Sequence, residues 1–370
     1  MRTITPQLTR ELKGHVGSTS VSRVAPYRVD SFRALVEHIA RLSYLNPDHL
    51  LFYRGQNTDF LNKAGSSTIY PGIYRSENTS KDELRHRFDI LDQACRGLVD
   101  RWADSGLEGT RDIKQKRYVQ WSILQHYAVV DTPLLDITHS LRVACSFAQQ
   151  GSTSESAVVY VLGLPQVTNR ISINSEDDLV NVRLLSICPP AALRPHFQEG
   201  FLAGTTDVTW DFDDKTDLDF RNRLIAKFEI PAGKEFWGTG FNSIPEKSLY
   251  PGNDRVEILC RGLKDSLDTE LQAGELGDFM KAWTKLEGAI ASTVREASGR
   301  NLSLREAINY LTETGPVSSS TTTELQKLRT YRNMIVHSPE KVVAGTARQA
   351  TTEVNRLLNQ LFPGRRSPRP

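Results

Sequence analysis

The stretch LLFYRGQ, residues 50–56, decides how the first two thirds of the chain is read. It is short, apolar and aromatic, and it leads into a long polar loop containing Pro71 and Gly72, the pattern of a strand running into a loop. Arg54 falls at the end of that strand, and Gly55 beside it lets backbone or a ligand come close. Ahead of it, VDSFRALVEHIARLSYL (29–45) is apolar at helical spacing. Behind it, SKDELRHRFDILDQACRGLVDRWADSG (80–106) and IKQKRYVQWSILQHYAV (113–129) read as helices, the first with Ser80 as N-cap and Glu83 three residues on. SAVVYVLGLP (156–165), VNVRLLSICPP (180–190) and NRLIAKFEIP (222–231) are apolar or β-branched runs closed by proline, as strands are. Residues 28–267 therefore predict an α+β domain behind an N-terminal extension, 1–27.

From about residue 274 the character changes. GDFMKAWTKLEGAIASTVREASG (277–299), SLREAINYLTETG (303–315), TTELQKLRTYRNMIVHS (322–338) and AGTARQATTEVNRLLNQLF (344–362) are four helical patterns with short joins. They predict an all-α bundle over 277–362, a linker at 268–276 and a basic tail at 363–370.

A chain of 370 residues is long enough for two such domains, each with its own core. No apolar run approaches the roughly 20 residues of a membrane span, and the start MRTITPQLTRELKGH has no apolar signal core. A cytoplasmic protein without a membrane partner is expected. Cys95, Cys145, Cys188 and Cys260 lie far apart with no CxxC pair, which predicts small core residues in place of disulfides or a zinc site. Net charge is +2, unevenly shared: residues 274–370 carry fourteen Lys/Arg against nine Asp/Glu, and the remainder 32 against 35. A basic C-terminal part is compatible with phosphate contact on a nucleic acid.

Three polar pieces stand out in the N-terminal part. The first is Arg54-Gly55-Gln56. The second is LQHYAVVDTPLLDITHSLRVACSFA (124–148), where Asp136, Thr138 and Ser140 precede an amphipathic helix. Thr138 or Ser140 would cap that helix, and its free N–H groups could hold an anion. The third is LRPHFQEGF (193–201), with Gln198 and Glu199. Taken in order, Tyr53-Arg54-Gly55-Gln56, Gln125-His126-Tyr127, Thr132 to Thr138, Phe147-Ala148, Arg194 to Phe201 and Ile244 to Pro251 resemble the FRG domain family over roughly 28–267. The chain departs from the family pattern with Ala128 for Gly, Pro133 for Arg and Ile137 for Trp. The resemblance implies a layout like an ADP-ribosyltransferase fold. Arg54 would then grip NAD phosphate or ribose, and Thr138 and Ser140 would order the nicotinamide side. Gln198 or Glu199 would stand at the catalytic carboxylate position, and Gly55, Gln56, His126, Tyr127 and Asp136 would complete a ligand site.

The C-terminal candidate is LRTYRNMIVHSPE, residues 328–340. Arg followed five residues later by His occurs three times (Arg10/His15, Arg33/His38, Arg332/His337), where chance alone supplies about 0.7, so spacing carries little. Context carries more. Leu325, Leu328, Arg332 and Ile335 share one stripe, which puts a charge on a packing face. Asn333 and His337 are four residues apart on an adjoining face, and Pro339 stops the helix. Arg-Asn followed by His in a small helical domain resembles the HEPN superfamily over about 274–362. The resemblance implies a homodimer through the bundle and metal-independent RNA cleavage, with catalytic Arg332, Asn333 and His337. The fold class expected is thus an α+β FRG domain, ADP-ribosyltransferase-like, followed by an all-α helical bundle of HEPN type. The function expected is a toxin or antiviral-defence effector that cleaves RNA without a cofactor, with NAD a candidate ligand of the FRG domain and an antitoxin or phage-derived trigger a candidate partner. Two rivals remain: an NAD-dependent ADP-ribosyltransferase dimerised by the bundle, and a non-enzymatic binding or regulatory protein.

Overall fold

In the computed structural model the chain divides into two compact units, residues 1–264 and 265–370. The structure describes all residues except 76–79, 153, 168, 209–210, 213, 315–316, 338–345 and 364–370.

The first unit is built on a sheet of eight strands among the described residues. They are β1 (Tyr27–Arg28), β2 (Leu50–Gln56), β3 (Leu135–Thr138), β4 (Ser156–Leu164), β5 (Ile171–Asn174), β6 (Leu179–Arg183), β7 (Gly200–Gly204) and β8 (Leu224–Pro231). Their order across the sheet is β1-β8-β4-β2-β3-β7-β6-β5. Every pairing is antiparallel except β1 with β8. The stretch read first as a strand, 50–56, is the central β2, paired with β4 along its whole length. The run VNVRLLSICPP is strand only to Arg183, and Leu184–Ile187 turns helical.

Alternation along β2 and β4 splits the core in two. Leu51, Tyr53, Val159 and Val161 join Phe228 and Ile230 under the helices Phe32–Leu45 and Leu141–Gln149. Phe52, Val158, Tyr160 and Leu162 join Leu135, Phe201 and Phe220 on the other face. Each such side chain, fully buried, contributes about 1.5–3 kcal/mol of transfer free energy. That is why β4 reads as a continuous apolar run: both of its faces are covered.

Lys227 on β8 is 3% exposed, and its ammonium donates to Asp59 at 2.7 Å and to Ser22 O at 3.3 Å. Asp59 also accepts from the Tyr160 hydroxyl at 2.8 Å and from Ser67 at 3.0 Å, so the ion pair ties the loop after β2 to two strands. Removing one partner strands the other in a dry site. Lys227→Met is expected to cost about 3 kcal/mol of stability in chemical denaturation. An unchanged midpoint would show that Asp59 finds water instead.

The helix Lys81–Asp104 starts where the sequence placed it, with the Ser80 hydroxyl accepting from Glu83 N at 3.1 Å. The pattern read as one helix over 113–129 is two, Thr110–Gln115 and Arg117–His126, broken at Lys116, whose backbone is extended. The segment 268–276, read as a linker from its composition, lies inside one helix, Arg255–Ser298. Gly274 and Gly277 each cost a helix about 1 kcal/mol, which Glu, Leu, Gln and Ala around them tolerate.

The second unit is helical. Its further helices are Leu304–Glu313, Ser319–His337 and Thr346–Leu361, and Ser303 with Glu306 forms a capping box at the first. Phe279, Trp283, Leu286, Ile290, Leu311, Leu325, Val354 and Leu357 form its core. Ser338 and Pro339, read as the helix stop, and all of the tail after Pro363 lie outside the described residues. No described helix is long and apolar enough to cross a membrane.

Candidate functional site

The polar residues singled out in the N-terminal part converge. A cleft of about 370 Å³ is lined by Arg54, Gly55, His126, Asp136, Thr138 and Gln198, drawn from four separate elements. Arg54 enters from the end of β2, Asp136 and Thr138 from β3, His126 from the last turn of the helix before it, and Gln198 from the turn ahead of β7. Arg75, Gln125, Phe147, Arg194 and Tyr250 complete the wall. Of these, Arg75 follows a Pro-Gly turn in a polar loop and has no signal in the sequence. The others lie inside the motif blocks but carried no assigned role.

Arg54 donates through one terminal nitrogen to Asp136 O at 2.6 Å, while its Nε is buried with no partner. Burial and the neighbouring Arg75 charge lower its pKa to about 10, so it remains a cation at neutral pH. Arg194 is held on three sides: an ion pair to Glu257 at 3.1 Å, a hydrogen bond to His126 O at 3.1 Å, and the rings of Tyr127 and Tyr250 at 5.1 and 4.7 Å. Asp136 is the one carboxylate among the lining side chains. Burial pushes its pKa up, but hydrogen bonds from His126 (3.4 Å) and Gln125 (2.7 Å), with the Arg54 charge, outweigh that and lower it overall. The His126 Nε2 is buried without a partner. With Arg194 paired to Glu257, the charges of Arg54 and Arg75 exceed the one lining carboxylate, Asp136, so the cleft favours an anion.

Gly55 serves the fold as much as the cleft. A Cβ there would strike Ala144 O and Ala148 N of the helix Leu141–Gln149, so the backbone that approaches is that helix. Thr138 does not offer its hydroxyl to the cleft. It donates to Gln198 O (2.9 Å) and accepts from Ser140 N (3.0 Å), pinning the turn before β7 to the start of the helix. Ser140 occupies the N-cap position without a side-chain bond and lies outside the cleft wall, so Ala144 and Phe147 face the cavity in place of the helix start. Gln198 spends its amide on Leu249 O at 2.8 Å, and Glu199, exposed with φ 45°, is outside the lining. Tyr127 is buried, its hydroxyl on Asp254 at 2.8 Å, and Gln56 borders a neighbouring chamber. Ala128, where the family pattern has Gly, keeps the left-handed backbone at φ 51°, a strain of roughly 1 kcal/mol for a residue with a Cβ.

His139, just after β3, packs on Phe52 and Phe201 with ring centroids at 4.0 and 4.8 Å. Burial, then the Arg183 charge, lowers its pKa below the ordinary 6.5. A depressed folded pKa contributes stability that is full above the unfolded value and is lost as pH falls through the folded one. The thermal midpoint is expected to fall between about pH 7.5 and 5.5, and His139→Phe to flatten that slope. An equally steep slope in the variant would locate the effect elsewhere, for instance at His38 and His49, whose pKa values burial also lowers.

In the second unit the helix Ser319–His337 buries Leu325, Leu328 and Ile335. Arg332 lies half-buried on that side, and its guanidinium donates to Asn333 Oδ1 at 3.2 Å. No ion pair to Arg332 exists among the described residues. His337 closes the helix exposed to solvent, beside Val336, which is 46% exposed. The three polar residues therefore lie near one helix end, His337 exposed and Arg332 and Asn333 partly buried.

Residues 49–157 match the family model of the FRG domain. The match starts one residue before β2 and ends at the second residue of β4, and it contains Arg54, Arg75, His126, Asp136 and Thr138 of the cleft. Nothing among curated proteins or solved structures matches the chain.

Proposed function

We propose that the chain is a two-part effector: the FRG cleft receives a phosphate-bearing ligand, and the helical unit cleaves RNA. The observation that carries the first half is Arg54. It is a cation set into the cleft wall with a buried, partnerless Nε, beside a second guanidinium, Arg75. A ligand oxyanion would satisfy that donor and relieve the like-charge contact. Titrating the full-length protein with inorganic pyrophosphate is expected to give binding that Arg54→Gln weakens at least about tenfold. Equal affinity in both proteins would remove Arg54 from the ligand site.

The second half rests on Arg332, Asn333 and His337 near one helix end, completed by a second copy across a symmetric dimer. The ribose 2′-oxygen attacks the adjacent phosphorus as His337 of one copy removes its proton, and the bond to the 5′-oxygen breaks as His337 of the other copy protonates it. Arg332 stabilises the charge that builds on the phosphoryl oxygens, and Asn333 holds Arg332 in place. The products are a 2′,3′-cyclic phosphate and a 5′-hydroxyl. No electron donor is needed, and the proton transfers and charge stabilisation come from side chains, so the reaction runs without a metal. Incubating RNA with the full-length protein in EDTA and reading the product ends tests this. A requirement for a divalent ion, or 5′-phosphate ends, would refute it.

One observation favours a second reading, NAD-dependent ADP-ribosyl transfer in the cleft with the helical unit as dimeriser. Asp136 places a carboxylate across from Arg54, a role that Gln198 and Glu199 do not fill. Protein ADP-ribosylation lost in Asp136→Asn, with RNA untouched, would select it. A defence role, with an antitoxin or a phage-derived trigger as partner and the cytoplasm as its place of action, follows from the pairing of ligand sensor with RNA cleavage.

A further inference from the structure

Next to the cleft lies a larger chamber of about 680 Å³, walled by Phe60, Leu61, Ile69 and Tyr70 and reached past Gln56 and Arg75. Arg75 borders both cavities. Along β2, Arg54 lines the cleft and Gln56, two residues on and on the same face of the strand, lines the chamber, so the two spaces adjoin. The chamber is preformed. Asn62 Oδ1 accepts from Ala64 N and Ser66 N, both at 3.0 Å, and Thr68 N donates to Phe60 O at 2.8 Å, so the 60–68 loop braces itself. Arg87 donates to Ile73 O and Arg75 O at 3.0 and 2.9 Å, fixing the backbone that carries Arg75.

Two features of this chamber are unexplained by folding alone. Phe60 and Leu61 are each 55% exposed, an apolar surface left uncovered. The Gln56 Oε1 is buried and accepts no hydrogen bond, which a folded protein seldom tolerates. A ligand that satisfies both has a flat apolar body carrying an N–H donor, joined over a short distance to a group that meets Arg54 and Arg75. Inorganic phosphate fills only the cleft, and an acyl chain brings no donor to Gln56.

We propose that the cleft and the chamber are two halves of one site for a nucleoside diphosphate, with the phosphates on Arg54 and Arg75 and the base between Leu61 and Tyr70, donating to Gln56. This rests on the reading of the cleft as a phosphate site and adds the class of molecule it selects. Arg75 is the shared wall: it faces the phosphates on one side and closes the chamber on the other.

The test is calorimetric titration of the full-length protein with pyrophosphate and with ADP, GDP, CDP and UDP, repeated on Ala64→Trp. Ala64 is an exposed chamber residue, and the indole would block part of the chamber where the base is placed. At least one diphosphate is expected to bind about tenfold or more tighter than pyrophosphate. Ala64→Trp should erase that gain while pyrophosphate affinity stays within about twofold. If pyrophosphate binds and no diphosphate binds tighter, or if the gain survives in Ala64→Trp, the two-part site is wrong and the phosphate reading stands. If neither pyrophosphate nor any diphosphate binds, both fall together. Should Ala64→Trp melt at a lower temperature than the parent, Gln56→Leu replaces it, with the same loss of the base-dependent gain expected.

Discussion

RNA cleavage by His337→Ala is expected to fall by about 10²–10⁴, the range a positioned general acid–base contributes. The side chain ends the helix Ser319–His337 exposed to solvent, so truncating it removes no core packing and should leave the melting temperature unchanged. That separation makes the variant informative: a loss of activity without a loss of fold is a chemical loss. His337→Gln keeps hydrogen bonding but not proton transfer and should be equally inactive. Arg332→Lys should also fall steeply, because an ammonium lacks the planar fork that keeps Asn333 and a phosphoryl oxygen together. Undiminished cleavage by His337→Ala would end the ribonuclease reading. The helical unit would then serve for association.

The second large effect concerns Asp254. Its carboxylate is wholly buried and accepts five hydrogen bonds: from the Tyr127 hydroxyl (2.8 Å), Leu193 N (2.8 Å), Arg194 N (2.9 Å), Val256 N (2.9 Å) and Glu257 N (3.1 Å). The last two cap the start of the helix Arg255–Ser298. The first three anchor one wall of the cleft, because Arg194 is held against Tyr127 and Tyr250. Asp254→Ala leaves those donors buried and unpaired and is expected to cost about 3–5 kcal/mol in denaturant unfolding. Asp254→Asn keeps one carbonyl acceptor and brings an NH₂ among donors, so its cost should be only partly smaller. A midpoint shift below about 1 kcal/mol for Asp254→Ala would mean that water replaces the carboxylate. Pyrophosphate binding by either variant, where folded, should weaken as well, since the same residue orients Arg194.

Much of the fold was legible locally. LLFYRGQ, SAVVYVLGLP and NRLIAKFEIP hold strands within two residues of the ends their composition predicts, and Ser80 caps the helix it is expected to cap. What was missed was short or glycine-rich. GFLAG (200–204) and ISIN (171–174) are strands only because β3 and β6 pair with them. Their sequences hold too few side chains to show alternation. The segment expected as a linker, 268–276, lies inside a helix instead: two glycines in a run of helix formers weaken a helix without ending it.

The site divides along the same line. Arg54, His126, Asp136 and Gln198 stood out as polar interruptions of apolar runs, and the cleft contains all four. Their separate tasks were not readable. Whether Thr138 faces a ligand or a neighbouring turn, and whether Gly55 admits a substrate or a helix, depends on which element lies opposite. Arg75 carries no signal at all, since it reaches the cleft from a turn that Arg87 holds against the helix Lys81–Asp104.

By itself, then, the sequence determined the two-part character of the chain, the strand that carries Arg54, and the helix that carries Arg332, Asn333 and His337. Those are properties of neighbours within about ten residues, where periodicity and capping act. Only the tertiary structure decided that residues as far apart as 54 and 250 share one cavity, and that Asp254 holds its wall. The physical reason is that strand pairing and buried-charge partnering are long-range choices, made by burial and hydrogen-bond satisfaction across the whole unit.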